Sequence, residues 1–281
     1  MIRLRTGVLA ALIAPLLLPA CRGEAADGKV PAAAMTSPQL VRSYPHDPEA
    51  FTQGLVYQGG ELIESTGRNG QSSLRRVRLE TGEVQQKVDL AEQYFAEGVA
   101  VLGGRVYQLT WQHGTGFIYD LATFAQQGTF TYDGEGWGLT SDGTALILSD
   151  GSDQLRFIDP QSYRVQRTLQ VTDGGEPVHQ LNELEWVRGE IWANVWHDRR
   201  IARIDPTSGR VRQWLDLSEL YPEAETVDPE AVPNGIAWDD AGGRLFVTGK
   251  LWPRLFEITV ADLQAAGAPV APAETADSAA P

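Results

Sequence analysis

Glu97 lies in the segment FAEGVA, two residues after Phe95 and directly before Gly98, where a β-strand is predicted to begin. An aromatic neighbour shields a carboxyl group from water, and this desolvation raises the pKa of the carboxyl group. A carboxyl group with a raised pKa can both accept and release a proton during a reaction. The sequence therefore presents Glu97 as a candidate for general acid and base chemistry.

The strand that contains Glu97 belongs to a unit that occurs five times between residues 39 and 263. The second and third strands of this unit read GGRVYQLTWQHGTGFIYDL, DGTALILSDGSDQLRFIDP, RGEIWANVWHDRRIARIDP and GGRLFVTGKLWPRLFEI, and GGELIESTGRNGQSSLRRVRLETGEV is a weaker copy. A period of about 40 to 50 residues is typical of propeller blades. We predict an all-β fold, a five-bladed β-propeller. A pair of β-sandwiches is the alternative, although a sandwich does not require a repeated unit.

The segment QLVRSYP, residues 39–45, precedes the first unit and has the pattern of an outer strand. The last unit ends after RLFEITV and lacks its outer strand. We expect the first segment to complete the last blade, because this pairing closes the ring and removes exposed strand edges.

Alignment of the first strands brings five residues to one equivalent position: Gln53, Glu97, Trp137, Asn182 and Asn234. The first strand of a propeller blade lines the central channel, so these residues are predicted to surround one mouth of the channel. The second strand runs back to the same mouth, and its last positions are Trp111, Trp196, Lys250, Gly67 and Gly151. The residues two positions before Gln53 and Glu97 share their face of the strand, and these are Phe51 and Phe95.

A binding pocket is the interpretation that this convergence favours. Packing between blades explains any one of these residues taken alone. Polar groups that converge at a mouth framed by aromatic side chains are typical of ligand sites. Lys250 also requires a carboxylate or a ligand as partner if it is desolvated there.

The formal net charge of −14 argues against a nucleic-acid partner, which requires a basic surface, and mildly favours cationic small ligands. None of the four histidines has the spacing of a zinc site. The segment SDGSD, residues 149–153, has calcium-binding residue types, but a hairpin turn explains it better. We therefore predict no cofactor; a structural divalent ion in the channel is not predicted, and the sequence leaves it open.

The N-terminal residues have the features of a targeting segment. Arg3 and Arg5 precede an apolar run at residues 8–18, which ends at LPAC with Cys21, the single cysteine of the chain. This pattern resembles a bacterial lipobox and predicts a signal peptide at 1–21, export to the periplasm or cell envelope, and a lipid anchor on Cys21. An ordinary signal peptide is the alternative, and one cysteine permits no disulfide within the chain.

The composition predicts a folded domain at residues 39–263, flanked by a disordered tether at 22–38 and a disordered tail at 264–281. Both flanking segments are rich in alanine and proline and contain too little apolar bulk to offset the entropy of ordering. A monomer is the default for a closed ring, so we expect a monomer whose contact with the membrane is the lipid anchor alone.

Five motifs, YPHDPEAFTQGL, FAEGVAVLGGRVYQLTW, GEGWGLT, LNELEWVRGEIWANVW and FVTGK, resemble those of plant-type and bacterial glutaminyl-peptide cyclotransferases. The resemblance covers nearly the whole predicted domain, with the motifs in family order. It implies a five-bladed propeller that converts the N-terminal glutamine of peptides or proteins to pyroglutamate and releases ammonia. The pocket residues that it implies by motif position are Phe51, Gln53, Phe95, Glu97, Trp111, Trp137, Asn182, Trp196 and Lys250.

The implied reaction assigns roles to these residues. The α-amine must lose a proton and the leaving amide nitrogen must gain one, and we predict that Glu97 transfers it. Gln53, Asn182 and Lys250 are expected to orient the carboxamide or to stabilise its oxyanion. Phe51, Phe95, Trp111, Trp137 and Trp196 are expected to bind the substrate and to exclude water.

Two other functions fit parts of the pattern. PNGIAW resembles a motif of metal-dependent lactonases of the regucalcin and gluconolactonase kind, which hold a divalent cation at the channel mouth, although Lys250 would repel such a cation. A non-catalytic binding propeller is the second alternative. Loss of activity in EDTA would favour the lactonase, and absence of any turnover would favour the binding protein.

Overall fold

Short apolar strands that alternate with glycine and aspartate turns fold each repeated unit into one antiparallel sheet. The computed structural model describes residues 30–221 and 228–265. In this part of the chain, five such sheets form the blades of a five-bladed β-propeller, which confirms the predicted fold class. No helix among the described residues has the length and hydropathy of a membrane span.

The strands are numbered in chain order. Two strands precede the first repeat: β1 (Ala34–Thr36) and β2 (Gln39–Pro45). Blade 1 contains β3 (Thr52–Gln58), β4 (Glu61–Thr66), β5 (Ser73–Arg78) and β6 (Val84–Asp89). Blade 2 contains β7 (Ala96–Leu102), β8 (Arg105–Thr110), β9 (Thr115–Asp120) and β10 (Gln126–Thr131). Blade 3 contains β11 (Leu139–Ser141), β12 (Leu146–Leu148), β13 (Gln154–Ile158) and β14 (Val165–Gln170).

A small hairpin follows blade 3 and consists of β15 (Thr172–Asp173) and β16 (Glu176–Pro177). Blade 4 contains β17 (Leu181–Val187), β18 (Glu190–Val195), β19 (Arg200–Ile204) and β20 (Val211–Asp216). Blade 5 contains β21 (Pro233–Asp239), β22 (Arg244–Gly249) and β23 (Arg254–Thr259), and the short helix α1 (Ala261–Ala265) comes after it.

The first strand of each blade lines the central channel. β3, β7, β11, β17 and β21 each contact the first strand of the next blade, and β21 contacts β3. Apolar clusters fill the spaces between neighbouring blades, and Trp192 and Trp252 are completely buried between blades 4 and 5. Because this packing fixes the blades around one axis, the beginnings of the five inner strands meet at a common mouth.

In four of the five blades, a glycine directly follows the aligned channel residue: Gly54, Gly98, Gly138 and Gly235. The close approach of neighbouring inner strands explains these glycines. A Cβ atom at Gly138 would lie 1.9 Å from the carbonyl oxygen of Asn182, so no larger residue fits there. In blade 4 the equivalent position is Glu183, whose carboxylate accepts backbone N–H bonds from Leu55 and Ile236. Glu183 therefore connects blades 1, 4 and 5 across the channel.

Blade 5 obtains its outer strand from the beginning of the folded chain. β2 pairs antiparallel with β23, with Leu40 opposite Ile258 and Pro45 opposite Arg254. The prediction that residues 39–45 complete the last blade is confirmed. This pairing joins the two ends of the propeller through main-chain hydrogen bonds.

The structure differs from the predicted tether at residues 22–38. Within that range, β1 pairs in parallel with β20 at the outer edge of blade 4, with Met35 opposite Trp214. The reason is that an outer strand exposes unpaired N–H and C=O groups, to which an adjacent extended segment can add without much apolar burial. The composition argument considered side chains only and therefore missed these backbone hydrogen bonds.

Several predictions fall on residues outside the described part of the chain. The signal peptide, Cys21 and the first part of the tether lie in residues 1–29. In the predicted tail at 264–281, the backbone of the first two residues ends α1, and residues 266–281 lie outside the described part. The structure therefore does not test the anchor or most of the tail.

A buried hydrogen-bond network holds the junction between the closing strand and blade 1. His46 follows β2, and its ring nitrogens contact the backbone oxygen of Trp252 at 2.6 Å and Oε1 of Glu64 at 3.0 Å. Arg75 bridges Glu64 and Asp47. Burial alone would lower the pKa of His46, but the charge and hydrogen bond of Glu64 outweigh it, so this pKa is raised.

We expect His46→Ala to lower the free energy of unfolding by about 2 to 3 kcal/mol, because it leaves buried polar groups unpaired. The raised pKa of His46 means that the folded state favours its protonated form. The stabilisation that protonated His46 gives to the folded state is complete below about pH 6.5, the pKa of an unfolded histidine. It is lost as the pH rises through the pKa of His46 in the folded protein. Denaturant titrations should show a difference between the two proteins that shrinks above this pH. If the difference in free energy of unfolding between the wild type and His46→Ala stays constant with pH, the pKa of His46 is not raised by folding.

Candidate active site

A cavity of about 270 Å³ opens at the mouth where the inner strands begin. The cavity is lined by all nine residues that the sequence predicts for the pocket and by one further residue, the carboxylate Glu230. The lining residues are Phe51, Gln53, Phe95, Glu97, Trp111, Trp137, Asn182, Trp196, Glu230 and Lys250.

The antiparallel blades explain why residues so far apart in sequence meet here. Gln53, Glu97 and Asn182 lie at the beginnings of the inner strands β3, β7 and β17. Trp111 and Lys250 directly follow the second strands β8 and β22, which return to the same end of the sheet. Each blade therefore offers two positions to the mouth, one from each of its first two strands.

Two glycines at the ends of second strands make room for the aromatic walls. A Cβ atom at Gly67 would lie 2.3 Å from Cε1 of Phe95, and one at Gly151 would lie 2.7 Å from Cη2 of Trp137. The ring of Phe95 also contacts Trp111 edge-to-face, with ring centroids 5.7 Å apart. The aromatic side chains therefore occupy space that any larger residue at these two positions would take.

Glu97 is buried at the base of the pocket, with 5% of its surface exposed. Its Oε1 accepts a hydrogen bond of 2.9 Å from Nε2 of Gln53. Asn234 donates from Nδ2 to Oε1 of Gln53 and to the backbone oxygen of Thr52. These contacts fix the amide orientation of Gln53, so its nitrogen must face Glu97. Asn234 is completely buried and lies beneath the pocket, although the alignment placed it on the ring.

Lys250 is 4% exposed, and its Nζ lies 4.9 Å from the centre of the Phe51 ring. Within the described part of the chain, Lys250 has no side-chain hydrogen bond and no ion pair, so its N–H groups can bind a substrate. The guanidinium of Arg68 also lies over the Phe51 ring, at 4.4 Å. The amide of Asn182 is also available to a substrate, because its buried Oδ1 has no hydrogen-bond partner among the described residues.

Burial shifts the pKa values of the two central charged groups in opposite directions. Desolvation raises the pKa of Glu97 well above its ordinary value; the positive charge of Lys250 opposes this shift and the negative charge of Glu135 adds to it. Desolvation lowers the pKa of Lys250, while the charges of Glu97 and Glu230 oppose that shift. Both pKa shifts are in the direction that favours proton transfer near neutral pH.

Two carboxylates that the sequence reasoning did not select hold the pocket tryptophans. Glu135 accepts hydrogen bonds from the indole nitrogens of Trp111 and Trp137, and Glu230 accepts one from that of Trp196. Glu135 stands two residues before Trp137, which is the offset that selected Phe51 and Phe95, so the alignment contained this signal. Glu230 lies in a loop before β21 and has no equivalent in the repeats.

The fold and the pocket define a five-bladed propeller with a buried carboxyl group and a buried amine at one channel mouth. The sequence profile of the glutamine cyclotransferase family matches residues 11–260. The chain belongs to this family of enzymes, which confirms the resemblance noted in its motifs.

Two relatives agree with the family assignment. The chain is 45% identical over 224 residues to a glutaminyl-peptide cyclotransferase of Arabidopsis thaliana, covering 78% of this chain and 70% of the relative. It also resembles the crystal structure of Myxococcus xanthus glutaminyl cyclase, with a TM-score of 0.76 at 41% identity, covering 82% of this chain and 97% of the other.

Proposed function

We propose that this enzyme converts the N-terminal glutamine of peptides or proteins to pyroglutamate and releases ammonia. One observation carries the proposal: a buried carboxyl group with a raised pKa, Glu97, shares a tryptophan-walled pocket with a buried amine, Lys250. The family membership and the names of both relatives support the same activity. The cavity of about 270 Å³ is smaller than most drug-sized sites and suits one terminal residue.

The reaction is an intramolecular acyl transfer. The α-amine of the substrate attacks the carbon of its own γ-carboxamide, so a C–N bond forms and the carbonyl oxygen becomes an oxyanion. In the proposed mechanism, Glu97 accepts the proton that the attacking nitrogen loses. It then delivers this proton to the amide nitrogen, the old C–N bond breaks, and ammonia leaves. No proton is gained or lost overall, and the carboxylate is regenerated.

The other polar residues of the pocket serve the carbonyl group in this mechanism. Lys250 donates to the oxyanion, and Asn182, whose amide is not satisfied by the protein, binds the carboxamide. Gln53 is held by Asn234 and in turn orients the carboxyl group of Glu97. Asn234 fixes the orientation of Gln53 before the substrate arrives, and such preorganisation lowers the barrier.

The aromatic walls hold the substrate in a folded conformation. Trp137 and Trp196 meet edge-to-face with ring centroids 5.6 Å apart, and Phe51 and Phe95 meet in the same way at 6.0 Å. Cyclisation requires the amine to lie against the carboxamide carbon, and a close-fitting apolar wall favours this compact shape. The same wall excludes water, which would otherwise hydrolyse the carboxamide.

A peptide that begins with glutamine tests the proposal directly. We expect stoichiometric ammonia, and a peptide product that has lost one ammonia in mass. The same peptide with an acetylated N-terminus should release no ammonia, because its nitrogen is no longer nucleophilic. Ammonia from the acetylated peptide would indicate hydrolysis instead, and absence of turnover on the free peptide would favour a binding protein.

We also propose that the reaction requires no metal ion or other cofactor. The ammonium group of Lys250 lies inside the pocket, where it would repel a divalent cation. Among the described residues, no group of three or more His, Cys, Asp and Glu side chains is arranged to hold a metal. Overnight treatment with EDTA, followed by assay of ammonia release, should leave the rate unchanged. A loss of activity that added metal restores would support a metal-dependent enzyme such as a lactonase-like propeller.

We further propose that the protein is exported to the periplasm or cell envelope as a monomer and is anchored through a lipid on Cys21. The support is the sequence alone: two arginines, an apolar run and LPAC. Fractionation of cells should recover the wild-type protein with membranes and the Cys21→Ser variant in the soluble fraction. Recovery of both proteins in the soluble fraction would indicate an ordinary signal peptide.

A further inference from the structure

All three pocket tryptophans donate their indole N–H groups to carboxylates. Oε2 of Glu135 accepts from Trp111 at 2.8 Å and from Trp137 at 2.9 Å. Oε2 of Glu230 accepts from Trp196 at 3.3 Å. We call Glu135 and Glu230 the rim carboxylates. Each indole donates a hydrogen bond to one of the rim carboxylates. The rim carboxylates therefore fix the orientation of the three indole rings that form the pocket walls.

The rim carboxylates lie further out than the reacting groups. The side chain of Glu230 is 39% exposed, and Trp111 is 37% exposed, whereas Glu97 and Lys250 are buried. A terminal glutamine whose amine reaches Glu97 must therefore direct the rest of its chain outward past the rim. In the proposed binding mode, the second and third residues of the peptide come closest to Glu135 and Glu230.

The charges at this rim do not balance. Within the described part of the chain, the Glu135 side chain forms no ion pair, although Arg156 donates to its backbone oxygen, and Glu230 has one ion-pair partner, His197, at 3.5 Å. The nearby cation Arg68 is already paired with Asp228, at 3.3 Å. Arg156 is paired with Asp150, and Lys250 lies deeper in the pocket, so the outer rim presents more negative than positive charge where the substrate leaves. The same field attracts the protonated α-amine of the substrate, which releases its extra proton to water before it attacks as the free amine.

We propose that Glu135 and Glu230 are the specificity-determining and positioning residues of this pocket, which favour peptides with a basic second or third residue over acidic ones. The inference rests on the proposed cyclisation and adds a class of substrate to it. Each rim carboxylate is partly solvated, so it changes the preference by about twofold to fivefold, as exposed ion pairs do. The preference decreases at high salt, because screening weakens exposed charges.

The test uses three peptides that begin with glutamine and carry lysine, alanine or aspartate as the second and third residues. For the wild type we expect kcat/KM to fall in that order. The Glu135→Gln and Glu230→Gln double variant should bring the lysine and aspartate peptides to nearly equal values, as should high salt with the wild type. Glu83→Gln is the matched control, because Glu83 lies in the turn between β5 and β6 at the opposite end of blade 1 and should leave the ratios unchanged.

A separate readout tests the positioning role. Glu135→Ala removes the acceptor of two indoles, whereas Glu135→Gln retains an oxygen that can accept. We expect the alanine variant to raise KM for the alanine peptide well beyond the glutamine variant and to change the near-ultraviolet circular dichroism of the tryptophans. Equal KM values for both variants, or wild-type ratios that the double variant retains, overturn this inference alone. Absence of wild-type turnover on all three peptides overturns the proposed function together with it.

Discussion

Glu97→Gln is expected to lower kcat for cyclisation about 100-fold to 10,000-fold, the usual contribution of a positioned general acid or base. Glutamine has nearly the same size and can still accept the hydrogen bond from Gln53, but it cannot transfer a proton. The loss should appear in kcat with little change in KM, because the aromatic walls that bind the substrate are unaffected. Continuous measurement of ammonia release at saturating peptide provides the comparison.

Two controls accompany Glu97→Gln: its unfolding in denaturant and the activity of a second variant, Glu135→Gln. Glu97→Gln removes a carboxyl group that burial disfavours in its charged form, so the variant should unfold at the wild-type denaturant concentration or above it. Glu135→Gln removes a carboxylate that does not contact the reacting atoms, and it should lower kcat far less. A Glu97→Gln enzyme that turns over at the wild-type rate would show that another group moves the proton.

Lys250→Met is expected to lower kcat about 100-fold to 1,000-fold, as removal of one oxyanion donor does in other acyl-transfer sites. Methionine preserves the apolar stem that packs near Phe51 but lacks the N–H groups that face the substrate. The protein should remain folded, because burial of the ammonium group is itself unfavourable and its removal relieves that cost. Single-turnover rates measured with excess enzyme separate this effect from slow product release.

The pH dependence of the Lys250→Met enzyme separates two roles of the lysine. Its positive charge lowers the pKa of Glu97, so its loss leaves desolvation and the charge of Glu135 to raise that pKa further. The base form of Glu97 then appears at higher pH, and the acid limb of the kcat/KM profile moves upward. If the limb moves and the rate at high pH equals that of the wild type, Lys250 acts only by tuning Glu97 and the oxyanion role is wrong.

The repeated sequence was sufficient to predict the fold and nine of the ten residues that line the cavity. Five copies of one unit, when aligned, identify the strand end that Gln53 and Glu97 share. A single strand would not have shown that Lys250 faces them, because Lys250 comes from the other end of the chain. Because the repeats are arranged around one axis, equivalent positions of the repeats meet at one channel mouth even when they are far apart in the sequence.

The features that prediction missed lie where the repeats differ from one another. Glu230 belongs to a loop of blade 5 with no counterpart in the other blades, so alignment could not select it. Asn234 occupies an aligned position but turns beneath the pocket to donate to Gln53, a contact that depends on side-chain geometry. β1 adds to blade 4 through its backbone, and no side-chain pattern records such an interaction.

The pairing of β2 with β23 constrains the order of events during synthesis. Ser43 on β2 and Arg254 on β23 are hydrogen-bonded although 211 positions separate them along the polypeptide. A ribosome releases the first of these strands long before the second exists, so every nascent intermediate has an unfinished fifth blade. Contacts between such distant positions slow folding. Translation must therefore be almost complete before the propeller can close, and the proposed export of the chain in an unfolded state would benefit from that delay.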